Sequence, residues 1–157
     1  MKIHIHESNL IEGIDDSKED KQSMVAWNYL KKQRAIPNRV ICHLHELITS
    51  NQLSGTYKGY YRNITKTNVR VGNNYPPDYK ELEYLMANWV NEVGTLEPIT
   101  SHIRFEKIHP FVDGNGRTGR MLLWWQEIMN GQQPTLFKAD ERQEYYKLFE
   151  LKELKEE

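Results

Sequence analysis

Residues 114–119, Gly-Asn-Gly-Arg-Thr-Gly, fit the spacing G-x-G-x-x-G, and their flanks restrict the fold more than any other feature of the chain. In a dinucleotide-binding sheet such a loop follows a buried apolar strand and opens a helix. The residues after Gly116 suit a helix, but those before the loop are His109-Pro110-Phe111-Val112-Asp113, which do not read as a strand. Asp140 lies near the distance expected of a ribose-binding acid, yet the chain lacks the alternating β and α units such a fold requires. A Walker A loop is excluded too, because Gly119 is followed by Arg120-Met121 and not by Lys-Ser/Thr.

Helical periodicity fills most of the remainder. Helices are expected over Asp15–Arg34, with Met24, Trp27, Leu30 and Lys31 along one stripe, and over Val40–Ile48. Asp16 and Glu19 form a candidate capping box, and Pro37-Asn38 separates the two helices. A third helix begins after Pro76-Pro77-Asp78, with Leu82, Leu85, Met86, Trp89 and Val93 on its apolar face. Others are expected over Leu96–Ile108, Gly116–Met129 and Asp140–Leu154. Residues 53–75, rich in Gly, Asn, Thr, Tyr and Val, favour extended chain and turns, with a short polar hairpin near Arg62–Gly72. The expected class is mainly α with one small β element, forming one domain over residues 1–157.

Charge and cysteine content narrow the function. The formal net charge is −1, so the basic footprint of a duplex-binding protein is missing. Cys42 is the only cysteine, which points to a reducing compartment. The start MKIHIHESNL lacks a signal-like apolar core, and no apolar run nears the ~20 residues of a membrane helix. A cytoplasmic protein is expected, with neither membrane nor nucleic acid as partner. Metal readings of the outlying histidines are weak. His4 and His6 alternate as on a strand, His43 and His45 cannot share a helix face, and Thr49 stands where a zincin carries its second histidine. Surface or packing roles are expected for these four. Trp124 and Trp125 are expected in the core or at an interface.

The loop itself has the parts of a phosphate site. Arg117 and Arg120 stand three apart at the start of a helix, so both can project on one side. Guanidinium groups match phosphate oxygens, and Gly114 and Gly116 let backbone N–H groups approach an anion at the positive helix end. Asp113 is the single carboxylate that a phosphate-bound Mg²⁺ asks of a protein. His109, just ahead of Pro110, can accept a proton near neutral pH. The group suits phosphoryl transfer by positioning and charge stabilisation.

His109-Pro110-Phe111-x-Asp113-Gly114-Asn115-Gly116-Arg117-x-x-Arg120 resembles the signature loop of the Fic-domain family, HPFx(D/E)GNGRxxR. Ser101-His102-Ile103-Arg104-Phe105 and ERQEYYKLF (141–149) are similar to flanking segments of that family, and residues 59–77 to its flap. The likeness runs from about Ser8 to Phe149. It implies a Fic-type helical bundle with a small β-hairpin flap, and transfer of AMP from ATP to a Ser, Thr or Tyr hydroxyl of a target protein docked on the flap. By that resemblance His109 is the base, Asp113 the Mg²⁺ ligand and Phe111 an anchor of the loop. Nucleotide contacts fall to Asp113, Gly114, Asn115, Gly116, Arg117, Thr118, Gly119 and Arg120, with Arg120 on the γ-phosphate. Tyr145 and Tyr146 match positions near the adenine in some relatives, and Val71, Gly72, Asn73 and Asn74 of the flap complete the nucleotide set. A kinase branch carries Lys in place of Gly116 and is disfavoured. Self-modification and homo-oligomerisation are also compatible with the resemblance. The flap's alternating Val69-Arg70-Val71 could pair with an extended target segment.

Ser8-Asn9-Leu10-Ile11-Glu12-Gly13 resembles the family's inhibitory motif, (S/T)xxxE(G/N), within a short helix over residues 6–14. Read from local chemistry alone, Ser8 lies near a helix cap and Gly13 at C′. The resemblance implies that Glu12 pairs with Arg120 in place of the γ-phosphate. The alternatives are removal of AMP or transfer of another phosphate-containing group at the same site, and a non-catalytic ATP-binding regulatory module.

Overall fold

The computed structural model describes the backbone of residues 1–156 and the side chains of residues 1–149. Seven α-helices account for most of the described residues: α1 (Lys2–Ile11), α2 (Ser17–Leu30), α3 (Asn38–Ile48), α4 (Leu82–Glu92), α5 (Pro98–Ile108), α6 (Asn115–Met129) and α7 (Arg142–Glu156). Short 3₁₀ turns at Tyr79–Glu81 and Ala139–Glu141 lead into α4 and α7. None of the described helices is long and apolar enough to cross a membrane.

Helix α6 is the axis of the bundle. Residues 117–124 of α6 are all buried, because α1, α2, α3 and α5 surround that stretch. A helix enclosed on every side needs apolar or pairable residues all round, and Met121, Leu122, Leu123 and Trp124 provide the apolar part. Trp124 meets Trp27 of α2 edge-on, with centroids 6.2 Å apart, and its indole N–H donates to Thr135 O at 2.9 Å. Ile41, Leu44 and Ile48 of α3 and Phe105 of α5 close the core with Phe111. Both tryptophans are thus structural, as expected; Trp125 donates to Gln33 O.

The expected helices are present with shifted ends. Asp16 caps α2, accepting from the Lys18 N–H at 2.9 Å. The full capping box does not form, since Glu19 is buried with Oε2 unpaired. Helix α1 begins four residues earlier than expected and absorbs His4 and His6, whose alternation had suggested a strand. His4 Nε2 meets Pro134 O, while His6 Nδ1 lies 2.7 Å from Asp20 Oδ2. Ser8 is therefore not near the start of its helix but in the last turn, and buried.

The hairpin near Arg62–Gly72 is not formed. Among the described residues its only rung is the pair Val71–Asn74, bonded reciprocally at 2.9 and 2.8 Å around Gly72-Asn73. The physical reason lies in Arg62. Its N–H donates to Pro110 O at 2.8 Å, and Thr67 N–H folds back to Arg62 O at 2.9 Å. These bonds use the polar groups that a ladder would need. Val71 and Tyr75 remain exposed, so the alternating pattern has no apolar face to bury, and a lone two-stranded hairpin is marginal without one.

Candidate active site

Helix α5 ends at His109, which adopts a left-handed conformation (φ 52°, ψ 62°) while its N–H still bonds Phe105 O. Such a backbone is uncommon outside glycine and is held only where neighbours fix it. Here Arg62 does so. Its fully buried guanidinium donates to the carbonyls of His109 (2.8 Å), Ile108 (3.2 Å), Pro77 (2.6 Å) and Thr67 (3.4 Å). Burial, aided by the Arg62 charge, pushes the His109 imidazole down to about 4, although a hydrogen bond to Glu106 O, Asp113 and Glu12 pull the other way. The imidazole is thus neutral at pH 7 and able to take a proton.

The loop from Pro110 to Gly114 is fastened from inside. Asn115 Oδ1 accepts from the Phe111 N–H and Asn115 Nδ2 donates to Phe111 O, both at 2.8 Å. The Asn115 side chain is therefore committed to the loop, because a buried amide must satisfy both its ends. Only the Asn115 main-chain N–H is left for an anion. Phe111 stacks on His45 with centroids 3.7 Å apart, and so anchors the loop as expected. His45 Nδ1 accepts from Gly59 N–H at 3.0 Å, which assigns the proton to Nε2 and makes that atom the donor to Asp113 O at 2.7 Å. Burial lowers His45 to about 4, in keeping with this neutral tautomer.

Gly114 is required on two counts. Its φ is +82°, and a Cβ there would lie 2.8 Å from Thr49 Cγ2 and 3.2 Å from His45 Nε2. Beyond it the first N–H groups of α6 have no intrahelical partner and carry the positive end of the helix dipole. Above them stands an anion already. A Cβ on Gly116 would collide with Glu12 Oε1 and crowd Arg120 Nη1, so Gly116 opens a cradle that a carboxylate fills. Glu12 Oε1 accepts from Arg120 Nη2 at 2.7 Å.

Arg120, 1% exposed, is held by a directed chain. It donates through Nε to Ser8 Oγ (2.7 Å) and through Nη2 to Ser8 O (3.1 Å). Nη1 reaches the Tyr145 hydroxyl oxygen at 3.4 Å, and the guanidinium lies 5.4 Å from that ring's centroid. His102 Nδ1 donates to Gly119 O, so its Nε2 accepts the Tyr145 O–H at 2.7 Å. Burial and the Arg120 charge hold His102 down at about 3. Burial opposes the Arg120 charge as well, yet the Tyr145 oxygen and Glu12 outweigh it and keep the guanidinium firmly protonated. Tyr145, expected near adenine, spends its hydroxyl on this chain, while Tyr146 is exposed.

Arg117 differs. Its Nε and Nη1 are buried and have no partner, although Asp113, Glu12 and Glu19 are near enough to favour its charge. An unpaired buried guanidinium edge costs free energy until an acceptor arrives, and phosphate oxygens supply acceptors in matching geometry. Gly119 faces elsewhere: a Cβ there would strike Glu106 Oε1 and the Phe105 ring, so its place is the α5–α6 contact and not the nucleotide. Thr118 is wholly buried with Oγ1 unpaired. Asp113 is exposed and uses one carboxylate oxygen to accept from Gly114 N–H at 2.8 Å. No cluster of three or more metal-ligating side chains exists among the described residues. One free carboxylate oxygen beside a phosphate cradle fits Mg²⁺, which takes most of its ligands from phosphate and water.

Gly13 explains how Glu12 is presented. Gly13 N–H bonds Leu10 O at 2.9 Å and Ile14 N–H bonds Asn9 O at 3.0 Å, a Schellman closure of α1 with Gly13 at φ +75°. Gly13 is thus the C′ residue, as expected.

Residues 35–126 match the Fic/DOC family, more than half of the chain. The chain belongs to the Fic/DOC family. Among curated proteins, the Protein adenylyltransferase Fic of Drosophila grimshawi is 34% identical over 95 residues, covering 55% of this chain and 20% of its own length. That of Drosophila melanogaster is 35% identical over 95 residues, with 55% and 19% covered. The chain spans about a fifth of the length of these relatives. A Fic domain containing signaling protein from Bacteroides thetaiotaomicron superposes with a TM-score of 0.79 at 21% identity, over 95% of this chain and 70% of that one. A Fic family protein from Desulfovibrio desulfuricans gives 0.78 at 20% identity, over 98% and 57%. Likeness at such identity establishes the Fic-like helical fold.

Sequence reading missed two residues that build the site, Arg62 and His45. His45 carried a usable signal, since Ile41, Leu44, His45 and Ile48 share one helix face. Arg62 carried none, because its partners are carbonyls 5 to 47 positions away along the chain.

Proposed function

We propose that this chain is a self-inhibited protein adenylyltransferase. The observation that carries the reading is the pair of buried guanidinium groups at the start of α6, Arg117 with two unpaired nitrogens and Arg120 with its outer edge held by Glu12, directly after the loop that His109 opens. In the reaction a target Ser, Thr or Tyr oxygen attacks the α-phosphorus of ATP, the bond to the bridging oxygen of the β-phosphate breaks, and pyrophosphate leaves. His109 accepts the proton of the attacking hydroxyl. The main-chain N–H groups at the start of α6 and Arg117 bind the phosphates, and Arg120 takes the γ-phosphate once Glu12 withdraws. Asp113 would hold Mg²⁺, which supplies counter-charge to the phosphates when bound. The target docks along residues 68–70, where the N–H groups of Val69 and Arg70 donate to no main-chain carbonyl.

Glu12 is the brake in this reading. It occupies the guanidinium that the terminal phosphate needs, so bound ATP is displaced from in-line geometry, and catalysis tolerates little displacement. The test uses ATP labelled at the α-phosphate, with mass spectrometry of the products. Glu12→Gly should incorporate AMP into protein, and Glu12→Gly/His109→Ala should not. Incorporation that survives loss of His109 would refute the reading. Detection of a different adduct would favour transfer of another phosphate-containing group.

A further inference from the structure

Between Glu46 and Asp78 the chain contains no carboxylate side chain, yet it carries Lys58, Arg62, Lys66 and Arg70, although the whole chain is net −1. Arg62 lies buried beside the catalytic loop, while Lys66 and Arg70 are exposed on the surface of the same segment. The Arg62 N–H and guanidinium bind the carbonyls of Pro110 and His109, and the Tyr61 ring lies 5.0 Å from that of Phe111. Every hydrogen bond of the Arg62 guanidinium goes to a main-chain carbonyl, and Asp78 is the one carboxylate near enough to favour its charge. Arg70 is exposed and lies across the flap tip. It donates to Gly72 O at 2.7 Å and Asn73 Oδ1 at 3.3 Å, with Tyr75 5.6 Å beneath it. Lys66 is exposed at a left-handed turn. Ile64 and Tyr75, 64% and 77% exposed, stand among these charges.

A cationic surface with apolar side chains in it and open main-chain N–H groups favours an extended anionic partner. The nucleotide does not need these cations, since its phosphates have Arg117, Arg120 and the start of α6. We propose that the flap segment, residues 58–75, selects targets whose modified hydroxyl lies in an acidic extended segment. This inference rests on the adenylyltransferase reading and adds the chemistry of its substrate.

The test uses the Glu12→Gly protein, labelled ATP and Mg²⁺, with eleven-residue peptides bearing one central Ser, Thr or Tyr flanked by Glu, by Gln or by Lys. Glu-flanked peptides should show a KM roughly tenfold below their Gln counterparts, shrinking as salt rises. Adding Lys66→Glu/Arg70→Glu should erase that preference and leave the KM for ATP unchanged; Lys66→Gln/Arg70→Gln should weaken it, with unfolding midpoints confirming an intact fold. Equal use of all three peptide sets would overturn the inference. So would a rise in the KM for ATP in the charge-reversed protein, which would assign the cations to the nucleotide. Self-labelling without peptide labelling would overturn the inference alone, whereas no label and no pyrophosphate release would overturn the underlying reading with it.

Discussion

Replacing Glu12 should raise activity and lower stability together. The carboxylate accepts one short charge-assisted bond from Arg120 at 2.7 Å, and its side chain is 36% exposed. Hydrogen bonds to charged groups contribute about 1.5–3 kcal/mol; the exposure places this one in the lower half, at about 1.5–2 kcal/mol. In the proposed reading Glu12 and the γ-phosphate compete for one guanidinium, so that free energy converts to a ~10–30-fold change in the fraction of protein able to seat ATP productively. Misplaced phosphates slow the chemistry further, by up to ~10²-fold. Glu12→Gly should therefore raise AMP incorporation at limiting ATP at least tenfold. The same change leaves a buried Arg120 with Ser8 and Tyr145 as its partners, and should lower the unfolding midpoint by a few degrees, as about 1 kcal/mol does for a domain of this size. Glu12→Gln, which keeps an acceptor but no charge, should fall between. The assay follows label from α-phosphate-labelled ATP, with thermal unfolding measured on the same samples. A variant less stable than the parent but no more active would refute the competition argument.

Burial and Arg62 hold His109 at about 4, so it is already unprotonated at neutral pH. The kcat/KM of the Glu12→Gly protein should be flat from pH 6 to 8 and fall only as pH drops towards 4; an inflection near 6.5 would contradict this. Stability should also fall in acid. His45, His102 and His109 are depressed to about 4, 3 and 4, so below the ordinary histidine value of about 6.5 the unfolded chain binds up to three more protons. Glu106, raised by burial to about 8, opposes them with one proton in the folded state, leaving a net loss as pH drops from 6.5 to 4.5. Urea titrations should show it, and His102→Gln should flatten the slope. Gly114→Ala should cost about 2–4 kcal/mol, combining a left-handed backbone with a collision against Thr49, and denaturant midpoints within experimental error of the parent would count against that. ATP with Mg²⁺ should raise the unfolding midpoint of Glu12→Gly more than that of the parent, because phosphate replaces a missing counter-charge; equal shifts would argue that Arg120 never meets the nucleotide.

The helices and the loop were legible because their chemistry is local. Pro76-Pro77 ahead of the turn into α4, Asp16 at the cap of α2 and the apolar stripes act within one or two turns. Gly114 and Gly13 could be read as backbone requirements, and both have positive φ. The flap was misread for an equally physical reason. Alternation in Val69-Arg70-Val71 signals a strand only where one face is buried, and here Val71 is exposed. At Asn115 the sequence does not show that the side chain fastens the loop. Its reciprocal bonds to Phe111 depend on a tight turn that spacing alone does not reveal. The bond between Tyr145 and His102 is illegible for the same reason, since its partners lie 43 residues apart in sequence.

Arg120 links the fold to the switch. A guanidinium 1% exposed must have acceptors on every edge, or its desolvation destabilises the protein. Ser8 and Tyr145 satisfy two edges permanently, and the chain through His102 to Gly119 O fixes their geometry without adding charge. The remaining edge calls for an anion, and it faces the cradle above Gly116. Either Glu12 or a phosphate can fill that place, and the two cannot do so together because the Glu12 carboxylate already lies over Gly116. A brake made this way needs no second conformation of α6. It needs only that α1 be able to yield its C-cap residue Glu12, and the Schellman closure at Gly13 puts that residue at the helix end, where the fewest backbone bonds must break.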